Sequence, residues 1–106
     1  MAKYLLVYYG GGMADTEAER AAVMQQWGSW FGKLGKGLVD GGNPFTGKVK
    51  NIAPDGKSKD GPIGQQATGY SIIESNSLEA ATELSKGCPV LKSGGQVAVY
   101  ETFNAM

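Results

Sequence analysis

The chain has 106 residues, one domain's worth, with 42 % apolar residues, enough to bury a single core and to exclude disorder. Ten Lys and Arg balance ten Asp and Glu, so no net charge draws it toward nucleic acid or an anionic membrane. With no histidine, Ser-His-Asp and Cys-His catalysis and the ordinary zinc sites are excluded. The one cysteine, Cys88, cannot form an intrachain disulfide, which suits a reducing cytoplasm, the expected location.

Tyr4 to Tyr9 reads as a strand, apolar on both faces and too short to span a membrane. Gly10-Gly11-Gly12 ends it. Thr16-Glu17-Ala18-Glu19 predicts a capping box at the start of a helix. Val23, Met24, Trp27, Trp30, Phe31 and Leu34 then recur at spacings of three and four, forming one helical stripe that Gly35 and Gly37 terminate. After a glycine-rich stretch from Gly41 to Gly47, Lys48 to Ile52 reads as a strand whose lysines suit a sheet edge. Pro54 to Pro62 reads as a turn region, and Gln65 to Glu74 contains the third strand. Ser77 caps a second helix carrying Leu78, Ala81, Leu84 and Cys88 on one face, ended by Gly87 and Pro89. Val97 to Phe103 reads as the last strand.

The order β-α-β-β-α-β is the split βαβ pattern. It predicts an α+β, ferredoxin-like fold: a four-stranded antiparallel sheet in the order 4-1-3-2, with two helices on one face. The first and last strands offer apolar side chains to both faces, so the uncovered face is expected to pack on a second copy of the chain. The expected partner is therefore the protein itself, with no nucleic acid and no membrane.

Along nearly its whole length the chain resembles the YCII-related family, in particular its DGPF branch, and it reads as a single domain of that kind over 1–106. The resemblance rests on Lys3-Tyr4-Leu5-Leu6, Asp40-Gly41-Gly42-Asn43-Pro44-Phe45, Asp60-Gly61-Pro62, Gly69-Tyr70-Ser71-Ile72-Ile73-Glu74, Ser77-Leu78-Glu79-Ala80-Ala81, Cys88-Pro89, and Gly95-Gln96-Val97 with Val99-Tyr100-Glu101. The branch's namesake phenylalanine is Ile63 here. The resemblance implies a dimeric ferredoxin-like α+β barrel. A few relatives act on chlorinated aromatic intermediates, and a His–Asp pair has been invoked for the wider family. This chain lacks the histidine, leaving Asp40 or Asp60 as the aspartate. Some DGPF genes accompany extracytoplasmic-function sigma factors, which implies a regulatory role as the alternative.

The carboxylates near strand ends are Asp40, Asp60, Glu74 and Glu101. Buried, such a group can serve as a general acid or base; in an Asp-Gly turn it bonds backbone amides instead. Asp40 and Asp60 are the catalytic candidates. Tyr8, Trp27, Asn43 and Tyr70 are the candidate ligand-binding residues, lining a cleft between the sheet and the first helix with Asp40. Trp27, Trp30 and Phe31 could line an aromatic pocket, but at helical spacing they read first as core. Tyr4, Tyr8, Tyr70 and Tyr100, all even-numbered, are expected on one sheet face. Ala21, Gly28 and Gly32 form a smooth strip that predicts a close neighbour. Gly10-Gly11-Gly12 is not a phosphate loop, because Asp15 stands where the third glycine belongs and no Gly-Lys-Ser/Thr follows. Cys88 reads as a buried structural thiol. Lys48, Lys50, Lys57 and Lys59 read as a solvated hairpin, and those lysines rule out a calcium loop between Asp55 and Asp60. No metal or cofactor is called for. The expected function is small-molecule binding by a homodimer, with Asp-based acid–base chemistry as a further step; the alternative is a non-catalytic regulatory or scaffold dimer.

Overall fold

The computed structural model describes residues 1–11 and 16–105. Gly12 and Asp15, on which the exclusion of a phosphate loop turned, lie outside the described residues. Among the described residues, six strands and two α-helices run in the order β1 (Ala2–Tyr9), α1 (Glu17–Leu34), β2 (Leu38–Asp40), β3 (Lys50–Ile52), β4 (Ser58–Asp60), β5 (Ala67–Ser75), α2 (Leu78–Ser85) and β6 (Gln96–Glu101). Four strands form one antiparallel sheet in the order β2-β5-β1-β6. The fold is α+β, and its spatial order of strands is the expected one.

One position in that order has a different occupant. Lys48 to Ile52 is not the sheet edge: Leu38–Asp40 pairs with β5 instead, and β3 pairs only with β4 in a separate two-stranded hairpin. The cause is local. Leaving α1, the chain meets β5 at once, with Leu38 opposite Ile73, and the following Gly41 to Phe45 stays against that strand through a bridge from Pro44 to Gly69 and a bond from the Phe45 amide to the Thr68 carbonyl (2.8 Å). The edge is filled before the lysine-bearing segment begins. The hairpin turns over Ala53 to Lys57, held by the Lys57 amide on Asp55 Oδ1 (2.9 Å) and the Gly56 amide on the Ala53 carbonyl (2.8 Å).

Strand alternation decides which side chains are buried. Tyr4, Leu6 and Tyr8 of β1 and Ser71, Ile73 and Ser75 of β5 are buried beneath the helices. α1 starts as expected, with Thr16 Oγ1 accepting from the Glu19 amide (3.1 Å), and stops at Gly35, whose amide donates to the Phe31 carbonyl. Its stripe places Trp30 and Leu34 in the core, with Trp27 and Phe31 half-buried against it. Met24 departs from the stripe and lies in solvent. Ser77 caps α2 through the Ala80 amide (3.0 Å), and Ala81 and Cys88 reach the core while Leu78 and Leu84 stay exposed.

The smooth strip on α1 has no close neighbour: nothing lies within 4 Å of a side-chain carbon built at Gly28 or Gly32. Both glycines are helical and exposed, so each costs about 1 kcal/mol relative to alanine. Gly28→Ala is therefore expected to raise stability by roughly that amount, a melting-temperature gain of about 4–8 °C for a chain of this size. Differential scanning calorimetry checks it; a loss of stability would mean that something packs on the strip.

Candidate functional site

The opposite face of the sheet is covered by neither helix. Val7 stands between Tyr70 and Ala98, and Leu5 between Ile72 and Tyr100, so these side chains share one face. They form an apolar floor of half-buried and exposed groups, with Tyr9 at one end and the opposite charges of Lys3 and Glu74 facing each other at the other. Phe45 extends it by stacking on Tyr70, ring centroids 5.9 Å apart. The Tyr9 hydroxyl is raised above its ordinary pKa by burial and by the neighbouring Tyr100.

This register corrects the expectation that Tyr4, Tyr8, Tyr70 and Tyr100 share a face. Tyr4 and Tyr8 point beneath the helices; Tyr70 and Tyr100 point out from the open side. In antiparallel pairs, odd positions of β1 stand opposite even positions of β5 and β6, so sequence parity carries no facing information until the register is known.

The space between the sheet and α1 is filled. The Trp27 ring meets Tyr8 edge-on at 5.1 Å, Trp30 at 5.8 Å and Phe31 at 5.6 Å. Trp30 Nε1 donates to the Leu84 carbonyl (3.1 Å), tying α1 to α2. Of the candidate lining residues, Tyr8 and Trp27 are brought together here. Tyr70 lies across the sheet on the open face, and Asn43 is exposed beyond the β2 edge.

Beneath those rings runs a buried polar chain that composition alone did not reveal. The Tyr8 hydroxyl donates to Ser71 Oγ (2.7 Å), and Ser71 Oγ donates to the Gly41 carbonyl (2.7 Å). The Cys88 thiol lies beside the Tyr8 hydroxyl. Burial pushes Tyr8 well above the ordinary tyrosine range, only partly offset by its bond to Ser71. Burial likewise pushes the Cys88 thiol up to about 11, against the lowering effect of the Val90 backbone and Tyr8. At neutral pH both groups stay protonated, so the chain acts as a brace and the thiol is a poor nucleophile. Because the folded thiol holds its proton above the ordinary value of 9.0, stability is expected to fall as pH rises from 9 to about 11, where the unfolded chain has lost a proton the folded one keeps. Urea titrations across that range, with Cys88→Ala showing a shallower decline, check this.

Ser71→Ala leaves the Tyr8 hydroxyl and the Gly41 carbonyl without their partner and is expected to cost about 1–3 kcal/mol. Equilibrium denaturation measures it.

The two catalytic candidates lie on different sheets. Asp40 ends β2 in an exposed turn, its Oδ1 accepting the Gly42 amide (2.8 Å). Asp60 ends β4 and faces Lys50 across the hairpin at 3.1 Å, both side chains largely in solvent. Of the other two carboxylates, Glu101 accepts from the Tyr4 hydroxyl at 3.5 Å and Glu74 lies opposite Lys3. Among the described residues no three acidic or thiol side chains gather as a metal site would require, and no helix is long and apolar enough to cross a membrane.

Two cavities lie around the hairpin. One, about 700 Å³, is an open basin bounded by Lys48, Val49, Lys50, Asp60 and Gln66. The other, about 460 Å³, lies between the hairpin and the open-face end of the sheet, with Tyr9, Phe45, Val49, Pro62, Ile63 and Ala67 as apolar walls. The chain matches no family model and no curated protein sequence.

Proposed function

We propose that the protein is a YCII-related, DGPF-type domain that works as a homodimer, joined through its open sheet faces, and binds a small apolar or aromatic molecule. The observation that carries the reading is the apolar floor of Leu5, Val7, Tyr70, Ile72, Ala98 and Tyr100, which, among the described residues, neither helix covers. An apolar sheet face with charges only at its margin has the arrangement of an interface. The size of the surface supports the same reading. A folded monomer of 11.1 kDa exposes about 5,700 Å², whereas this chain exposes 7552 Å². The excess of about 1,900 Å² is in the range that a protomer of an obligate dimer buries.

The ligand seat best supported is the apolar cavity beside Tyr9 and Phe45, because the aromatic side chains of α1 fill the cleft beneath that helix. Light scattering at micromolar concentration tests the assembly: a mass twice 11.1 kDa is expected, and a monomer mass overturns it. A thermal-shift screen against small aromatic acids and alcohols tests the binding.

The alternative of a non-catalytic regulatory or scaffold dimer is favoured by one observation. Asp40 is committed to a backbone amide and Asp60 to Lys50. Asp40→Asn keeps the acceptor oxygen, so it separates the readings: a scaffold is unaffected, while acid–base chemistry on any ligand found is abolished.

A further inference from the structure

The β3–β4 hairpin is an arm. It belongs to a two-stranded sheet of its own, and its strands share no ladder with the main sheet. Its bonds are internal, such as the Gly61 amide to the Val49 carbonyl (2.9 Å) and Asn51 Nδ2 to the Gly61 carbonyl (3.0 Å), with Gln66 Nε2 to the Gly47 carbonyl (2.9 Å) at its root. The arm carries apolar side chains that no part of the chain shields: Ile52 is 70 % exposed and Ile63 83 %. The molecule is broad and thin, 44 × 40 × 18 Å, with a radius of gyration of 15.2 Å against about 13 Å for a compact chain of this length.

Area decides what such an arm is for. Only β1 and β5 run eight or nine residues; β2 has three and β6 six, so the floor is long at its centre and narrows toward both edges. A standard interface takes about 800 Å² from each partner, and the surface excess here is larger still. The floor accounts for little of that excess, because of its six residues only Tyr100 is exposed, whereas the arm is exposed at nearly every position from 48 to 60. The arm supplies the missing area on the correct side, because the cavity it shares with the sheet is walled by Tyr9 and Phe45, both of which belong to the open face. To a second copy seated on the floor, the arm is a neighbouring border at one end, with Ile63 and Val49 lining the shared cavity among the hairpin's lysines.

Resting on the sheet-face dimer proposed above, we infer that the arm is a dimerisation element: the Ile63 side of each hairpin packs against the partner copy and closes the mouth of the apolar cavity. In a two-fold assembly each arm contact occurs twice, so a loss on one chain is doubled in the dimer.

Sedimentation velocity on the full chain tests it. Ile63→Asp places a charge on an exposed side chain, so the protomer is expected to fold with the parent's circular-dichroism spectrum. Its dimer dissociation constant is expected to rise at least about 100-fold, while Ile63→Val stays within a few-fold of the parent. A dimeric parent whose Ile63→Asp variant dimerises equally well overturns the role of the arm and leaves the sheet-face dimer standing. A parent that sediments as a monomer at every concentration overturns both. Hydrogen exchange on the unmutated protein gives an independent reading. Arm amides in 48–63 are expected to exchange more slowly above the dissociation constant than below it, and unchanged exchange contradicts the inference.

Discussion

Ile72→Glu is expected to turn the proposed sheet-face dimer into a folded monomer. Ile72 lies at the middle of the open face, between Leu5 on β1 and the β2 edge, and Leu5 in turn stands beside Tyr100. In the isolated protomer it is half-buried by these neighbours, and no helix lies over it. A glutamate there meets solvent when the chain is alone, so the cost to the protomer is that of a polar residue on a β-strand opposite the like charge of Asp40, about 1–2 kcal/mol. In a dimer the same position is covered. Ile72 is already partly covered in the protomer, so what a partner adds is worth about 1 kcal/mol per copy, doubled by the two-fold axis. Two carboxylates would also be desolvated without partners, at about 1–3 kcal/mol each. About 2 kcal/mol from the apolar term and at least as much from the carboxylates is three orders of magnitude in the dissociation constant. Light scattering at micromolar concentration should therefore show the mass halved, with the melting transition still cooperative. A dimeric Ile72→Glu variant would mean that the chains associate through some other surface. The matched control is Leu6→Glu: Leu6 is fully buried beneath the helices, and that change should unfold the protein rather than separate the copies.

The elements whose side chains alternate or recur with a clear period were legible from residues alone. β1, β5, both helix caps and the aromatic stripe of α1 fall where period and capping chemistry place them. So does the open apolar face, because two helices can cover only one side of such a sheet. The second strand was not legible. Leu38-Val39-Asp40 is too short to show a period, and the following Gly41-Gly42-Asn43-Pro44 has the composition of a free loop. What holds that segment to β5 is backbone contact, which side-chain patterns do not encode. Lys48 to Ile52 has the better strand signature and does form a strand, but in the arm. The candidate site failed to assemble for a related reason. Tyr8 and Tyr70 are both aromatic and polar-tipped, yet the register sets them on opposite faces. Only the pairing of Val7 with Tyr70 reveals this. The Tyr8–Ser71–Gly41 chain joins three segments far apart in sequence, and nothing local to any one of them announces it.

The most damaging single methyl group in this protein is expected at Gly42. The glycine sits at φ +71°, a left-handed conformation that costs a non-glycine residue about 1 kcal/mol or more. A side-chain carbon added there would stand 1.8 Å from the Tyr70 carbonyl oxygen and 2.7 Å from its carbonyl carbon. Those atoms belong to the backbone of a central strand and cannot move aside, so the segment from Gly41 to Phe45 must leave the sheet. With it go the bonds from Ser71 to Gly41, from the Gly42 amide to Asp40 and from the Phe45 amide to Thr68, and the stacking of Phe45 on Tyr70. Strain plus the loss of one buried hydrogen bond amounts to roughly 3 kcal/mol, a melting-temperature drop of about 12–24 °C for a chain of this size. Gly41→Ala is the comparison. Its added carbon would meet only the edge of the Phe31 ring at 3.4 Å, ordinary contact with a side chain that can yield, so it should cost far less. The pair separates two accounts of the Asp-Gly-Gly-Asn-Pro-Phe motif. If the motif is a strap that closes the sheet edge, Gly42→Ala is severely destabilised and Gly41→Ala is not. If its glycines serve only as a flexible connection, both variants melt near the parent. The motif's place in the chain then requires another explanation, and Phe45 loses its fixed position over Tyr70 and its wall of the cavity beside Tyr9.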